Sequence, residues 1–150
     1  MVDSSLILRK LADLEEYLGQ VGEFKAIALE AYRSDWKTQR IVERTLQMTI
    51  ELCIDICNHL IADQKLRVPT SNADTFKVLQ EAGLLSEQLF ESMDKMAKFR
   101  NLVVHQYGKI DGAIVVTILR KHPDDFIVFR DAVLQVLAKE SASDSSGRGE

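Results

Sequence analysis

The sequence predicts an all-α protein, a bundle of about five to six helices. Three observations point that way. Apolar residues recur at three- and four-residue spacing through most of the chain. Only two prolines and seven glycines occur in 150 residues, and several glycines fall where elements would end. No strand-like alternation persists beyond a few positions, and "AIVVTIL" is the one β-rich run.

Leu6, Leu8, Leu11, Leu14, Leu18 and Val21, continued by Phe24, Ile27, Ala28, Ala31 and Tyr32, predict one long helix over residues 4 to 33. Gly19 and Gly22 are its points of interruption or bending. Ser34 and Asp35 offer capping oxygens to a second helix that ends near Asp63. Its second half, "IELCIDICNHLIA", is apolar on most sides, which suits a central helix packed against several partners. Arg67-Val68-Pro69 closes the segment, because proline disfavours helical geometry in the residue before it. Ser71 or Asn72 caps a short helix, "ADTFKVLQEA", stopped by Gly83. Ser86 starts the next, which runs to about Tyr107 ahead of Gly108. Asp111 caps "GAIVVTILRK", and that position between a capping aspartate and a basic helix end makes the β-rich run helical. Pro123, followed by Asp124 and Asp125, opens a last helix to about Lys139. The helical domain is thus expected over residues 1–140, with "SASDSSGRGE", residues 141–150, as a disordered polar tail.

A content of 46% hydrophobic and 28% charged residues fits one ordinary globular domain. The formal net charge of −4 argues against a general nucleic-acid binder, so DNA is not an expected partner and any nucleic-acid site must be local. No apolar run approaches the roughly 20 residues that cross a bilayer, and the N-terminus lacks a secretory pattern, so a cytoplasmic protein without membrane contact is expected. Cys53 and Cys57 fall one helical turn apart, a poor geometry for a mutual disulfide and a good fit to a reducing compartment.

One stretch stands out: "FRNLVVHQYG", residues 99–108. On a regular helix Leu89, Met93, Met96, Val103 and Tyr107 lie within about 60° of Arg100. The arginine therefore interrupts an apolar stripe, and it must be paired, snorkel to water or line a cleft. His105 projects about 140° round from Arg100, while Asn101 and His105 share one flank. A single regular helix does not aim Arg100 and His105 at one point, so the last turn distorts or the site draws on more than one helix or subunit. Leu102, in the middle of the polar side, points weakly to a subunit contact.

Other polar groups carry less chemistry. Cys53, Cys57 and His59 lack the paired-cysteine spacing of zinc sites and read as buried thiols beside a boundary histidine, so no metal is expected. Asp55 and His59 are positioned to hydrogen-bond each other, and Asp55 is the acidic partner expected to approach Arg100. Lys95, Lys98, Lys109 and Arg67 form either a basic rim for phosphates or an ordinary solvated surface.

Arg100, four residues, His105, one residue, Tyr107 resembles the signature of HEPN-domain ribonuclease toxins of the HepT type, partners of minimal nucleotidyltransferase antitoxins of the MntA type. The resemblance extends through "LRKLADLEEYL", "VERTLQMTIELCIDICNHLI", "LRVPTSNADTFKVLQEAGLL", "MAKFRNLVVHQYGKID" and "LRKHPDDFIVF". It implies a HEPN-like bundle that forms a twofold homodimer, with the motif helices of both subunits bordering one RNA cleft. It further implies a metal-independent endoribonuclease without cofactor, the toxin of a type II- or type VII-like pair, acting on tRNA or mRNA. In such an enzyme the 2′-hydroxyl attacks the adjacent phosphate. His105 is then the acid/base, since an unperturbed imidazole titrates at about 6.5. Arg100 stabilises the phosphorane with its planar donors, and Asn101 orients His105 or a phosphate oxygen. Tyr107 is implied as the site where the antitoxin transfers adenylyl groups from ATP, against the alternative of a tyrosine closing a helix on the core. The competing class is a non-catalytic helical dimer that binds a nucleotidyltransferase or nucleotide.

Overall fold

The computed structural model describes residues 3–106 and 108–147, with side chains to residue 143. Among the described residues there are seven helices and no strand: α1 (Ser4–Gly22), α2 (Leu29–Ser34), α3 (Trp36–Asp63), α4 (Asn72–Glu81), α5 (Glu87–His105), α6 (Gly112–Lys121) and α7 (Pro123–Gly147). No helix among them is long and apolar enough to cross a membrane.

The long first helix expected from periodicity is two. α1 stops at Gly22, and the turn after it closes i→i+3 bonds, Phe24 N–H to Val21 O at 3.0 Å and Lys25 N–H to Gly22 O at 3.2 Å. Two glycines in four positions weaken the helix by about 1 kcal/mol each, and the extended Ala28 then re-aims the chain so that Tyr32 is buried. Periodicity survives such a break, so apolar spacing alone does not reveal it.

α3 is the central helix. Asp35 caps it, accepting from Lys37 N–H at 3.1 Å and from the Thr38 hydroxyl at 2.8 Å, and the Thr38 hydrogen bonds hold the Asp35 carboxyl below its ordinary range. Leu46, Ile50, Cys53, Ile56, Cys57 and Leu60 are buried on several of its sides, against α1, α2, α4 and α5. Its buried threonines return their hydroxyls to the helix, Thr49 Oγ1 donating to Thr45 O at 2.7 Å.

α3 ends before the Arg67-Val68-Pro69 stretch. Lys65 takes a left-handed conformation (φ 54°), its N–H reaching Ala62 O at 3.3 Å and the Leu66 N–H reaching Ile61 O at 3.0 Å. This is the two-bond Schellman stop, with lysine where glycine is usual. Gly83 (φ 77°) closes α4 in the same way, with Leu84 N–H to Leu79 O at 2.9 Å.

Arg67 is not a free rim cation. Its guanidinium grips Asp74 at 2.7 and 2.8 Å and Glu81 at 2.9 Å, spanning α4 from first turn to last. These bonds hold both carboxyls below the ordinary range. A carboxyl whose folded pKa is depressed stabilises the fold above its unfolded value and loses that contribution as pH falls through the folded one. Arg67→Ala is therefore expected to lower Tm at pH 7, with the gap to the wild type narrowing steadily below about pH 4. Thermal melts across that range check it, and a gap independent of pH would contradict it.

Asp111 caps α6, accepting from Ala113 N–H at 2.9 Å, and the β-rich run is helical, burying Val115, Val116, Ile118 and Leu119. α7 packs Phe126, Phe129 and Val133 inward, with Phe129 edge-on to Phe76 of α4. It continues to Gly147, past the expected end near Lys139. No proline or glycine intervenes between Asp124 and Ser146, and extending a formed helix costs far less than starting one.

Candidate functional site

The site grows from a conflict in α5. Its inward face buries Leu89, Met93, Met96, Ala97 and Phe99 in the core, and the next turn places Arg100 at the edge of that stripe. The arginine is paired. Its Nε donates to Glu51 Oε1 at 3.0 Å, its terminal nitrogen lies 3.0 Å from the same oxygen, and the Gln47 amide donates to that oxygen at 3.1 Å. The other fork of the guanidinium donates to Asn101 Oδ1 at 3.2 Å. The Arg100 side chain is 21% exposed and that of Glu51 36%, so the chain Gln47, Glu51, Arg100, Asn101 sits half in water. A guanidinium carries five N–H donors, and these contacts leave donors for an anion arriving from solvent.

One expectation is corrected here. Asp55 does not meet Arg100: it is ion-paired with Lys10 of α1, with His59 of its own helix at 3.7 Å. Glu51 lies one turn earlier on the same face of α3, and the register of α3 against α5 chooses it. Asn101 turns its carbonyl oxygen to Arg100, a contact that leaves its amide N–H groups for other partners. Sequence reasoning does not reach Glu51 and Gln47. The only signal is a second acid, four residues before Asp55, within the apolar run "IELCID".

His105 is exposed on the final turn of α5. The chain leaves the helix through an extended Gln106, whose amide donates to Lys109 O at 3.1 Å. Tyr107, the expected modification site, lies outside the described residues. Lys109 is exposed, whereas Lys98 is tied to Asp94 at 2.8 Å, so the expected basic rim keeps Lys95 and Lys109 but loses Lys98 and Arg67 to ion pairs. Cys53 and Cys57 are free, fully buried thiols, and burial pushes both well above their ordinary pKa.

The site is thus a braced arginine and an exposed histidine five residues apart at the end of one helix of an all-α bundle. Comparison with known proteins gives the particular family. The sequence model described as Ribonuclease HepT-like matches residues 7–133. The mRNA nuclease HepT of Shewanella oneidensis is 30% identical over 130 residues, covering 87% of this chain and 97% of that protein. The tRNA nuclease HepT of Aphanizomenon flos-aquae is 29% identical over 110 residues, covering 73% and 75%. A structure of the tri-AMPylated Shewanella oneidensis HEPN toxin in complex with MNT antitoxin superposes with a TM-score of 0.81 at 30% identity, covering 90% of this chain and 99% of that one. The chain belongs to the HepT-like ribonuclease family.

The brace makes a prediction for this ribonuclease. Glu51→Ala is expected to lower RNA cleavage by roughly 10- to 100-fold through a misplaced Arg100. Because the pair is half exposed, stability should fall by no more than about 1 kcal/mol. Glu51→Gln, which keeps one oxygen for the guanidinium, should recover part of the rate. Parallel cleavage assays and urea melts decide it, and full activity in Glu51→Ala would remove the brace from the site.

Proposed function

We propose that this chain is the endoribonuclease toxin of a toxin–antitoxin pair, cutting RNA without a metal ion. The observation that carries the reading is the braced Arg100, with donors to spare, on the same helix end as an exposed His105. The 2′-oxygen attacks the adjacent phosphorus as its proton is withdrawn, and the bond to the 5′-oxygen breaks as that oxygen gains a proton. His105 exchanges these protons, and Arg100 holds the charge that builds on the equatorial oxygens. The products are a 2′,3′-cyclic phosphate and a 5′-hydroxyl. Since Arg100 and His105 project in different directions from one helix, two subunits that place their α5 ends side by side complete one cleft. Relatives named as mRNA and tRNA nucleases support RNA as substrate and leave both classes as candidates. Asn101 belongs to the machinery as the second anchor of Arg100. Asp55, paired with α1 and His59, is left a structural role.

Incubation of total RNA with the purified chain in EDTA tests this. Cleavage should proceed with the chelator present, and chelator-sensitive cleavage would contradict the metal-free route.

Regulation involves the same site. The AMPylated relative bound to its MNT antitoxin supports a nucleotidyltransferase as partner and AMPylation as the modification, and we assign Tyr107 as the acceptor from its place beside His105 in the sequence. An anionic adenylyl group two residues beyond His105 would compete with RNA phosphate for Arg100. Mass spectrometry of chain co-expressed with such a transferase should show adenylyl additions that vanish in Tyr107→Phe. Additions that persist in that variant would place the modification elsewhere.

A further inference from the structure

Below the loop that leaves α5, the end of α2 and the starts of α3 and α6 enclose a cleft of about 370 Å³. Two of its lining residues, Arg33 and Lys109, are cationic and one, Asp111, is anionic. The Asp111 carboxylate is committed to the cap of α6, and at 3.9 Å from the Arg33 guanidinium it makes only a long ion pair. Arg33 is 58% exposed, and its donors are open to a ligand.

The cleft is built rather than incidental. The Gln39 amide donates to the carbonyls of Tyr32 at 2.9 Å and Arg33 at 3.1 Å, fastening the end of α2 to α3. The Arg33 stem lies across Gly112: a Cβ there would stand 3.4 Å from Arg33 Cγ and 3.1 Å from the Tyr32 ring. Tyr32 is 1% exposed, so a Cβ at Gly112 would crowd its ring, and glycine favours the close approach of α6 to α2. Lys109 is tethered through its carbonyl to Gln106, and four residues of chain cannot carry it more than about 14 Å from His105.

We propose that this cleft binds a phosphodiester of the single-stranded RNA flanking the bond to be cut, with Arg33 and Lys109 as the donors. The inference rests on the ribonuclease reading and names where that substrate is gripped. A chain of net charge −4 needs a local cationic seat for RNA, and two other candidate cations, Arg67 and Lys98, are held in ion pairs. The volume lies near the lower end of ordinary ligand sites, which run from roughly 300 to 1,000 Å³, so it admits one nucleotide and not a duplex.

Fluorescence anisotropy with a short 2′-O-methyl oligoribonucleotide, which cannot be cleaved by its own 2′-oxygen, tests the cleft at several salt concentrations. The double variant Arg33→Gln/Lys109→Gln should bind about 10-fold more weakly, with a salt slope shallower by about 0.7 for each phosphate it no longer neutralises. Its Tm should match the wild type, and Arg33→Lys should recover part of the affinity. Wild-type affinity and slope in the double variant, or no binding by the wild-type chain, would overturn the proposal. If the wild type cuts no RNA in the EDTA assay while the double variant still binds more weakly, the ribonuclease mechanism fails and the cleft stands.

Discussion

His105→Ala is expected to reduce RNA cleavage by about 10²- to 10⁴-fold, the range for a lost acid/base group, while the fold is left intact. The two halves of that expectation have separate causes. His105 is exposed on the last turn of α5 and buries no core surface, so its removal should shift stability by less than about 0.5 kcal/mol. Arg100→Ala offers the contrast. It would strip Glu51 and Asn101 of the guanidinium that links them, and so combine an activity loss with a small stability loss. Cleavage rates, circular dichroism and sedimentation on both variants separate these outcomes. A His105→Ala protein that still cut RNA at the wild-type rate would put the proton transfers elsewhere.

Phe76→Ala should be among the core substitutions most damaging to the fold, at about 3–5 kcal/mol. Phe76 is 0% exposed and meets Phe129 edge-on at 6.1 Å and 87°, joining α4 to α7. The loss is comparable to a large part of the roughly 5–15 kcal/mol that ordinarily separates folded from unfolded chains. Because α4 packs on α5, loosening it should also cost activity through the helix that carries Arg100. Phe76→Leu, which fills most of the volume, should lose only about 1–1.5 kcal/mol. Urea denaturation measures both, and a loss below about 1 kcal/mol for Phe76→Ala would mean that the neighbouring helices collapse into the space.

Much of the fold is legible in the sequence because helix ends are local events. Asp35, Ser71, Ser86 and Asp111 each accept from an N–H two or three residues ahead, and that chemistry needs nothing beyond the segment itself. Gly83 is legible for the same reason. The stop at Lys65 is not, since lysine carries no left-handed preference and is held there by the packing of Leu66 against the core. The gap between α1 and α2 is hidden too, because the apolar spacing runs on across it.

The site divides along the same line. Residue order places Arg100 off the polar face and His105 on another bearing, because 100° per residue is a property of any regular helix. It also names the family, through the spacing of Arg100, His105 and Tyr107 and the blocks around them. Only the packed structure chose Glu51 over Asp55 as the arginine's partner. Both acids share one face of α3, one turn apart, and which one meets α5 depends on how two helices slide past each other as their apolar ridges interlock. The cleft under Lys109 was out of reach of sequence reasoning for the same reason. Arg33, Gln39 and Gly112 are not close together along the chain as a set, and it is the close approach of α6 to Tyr32 that makes them neighbours.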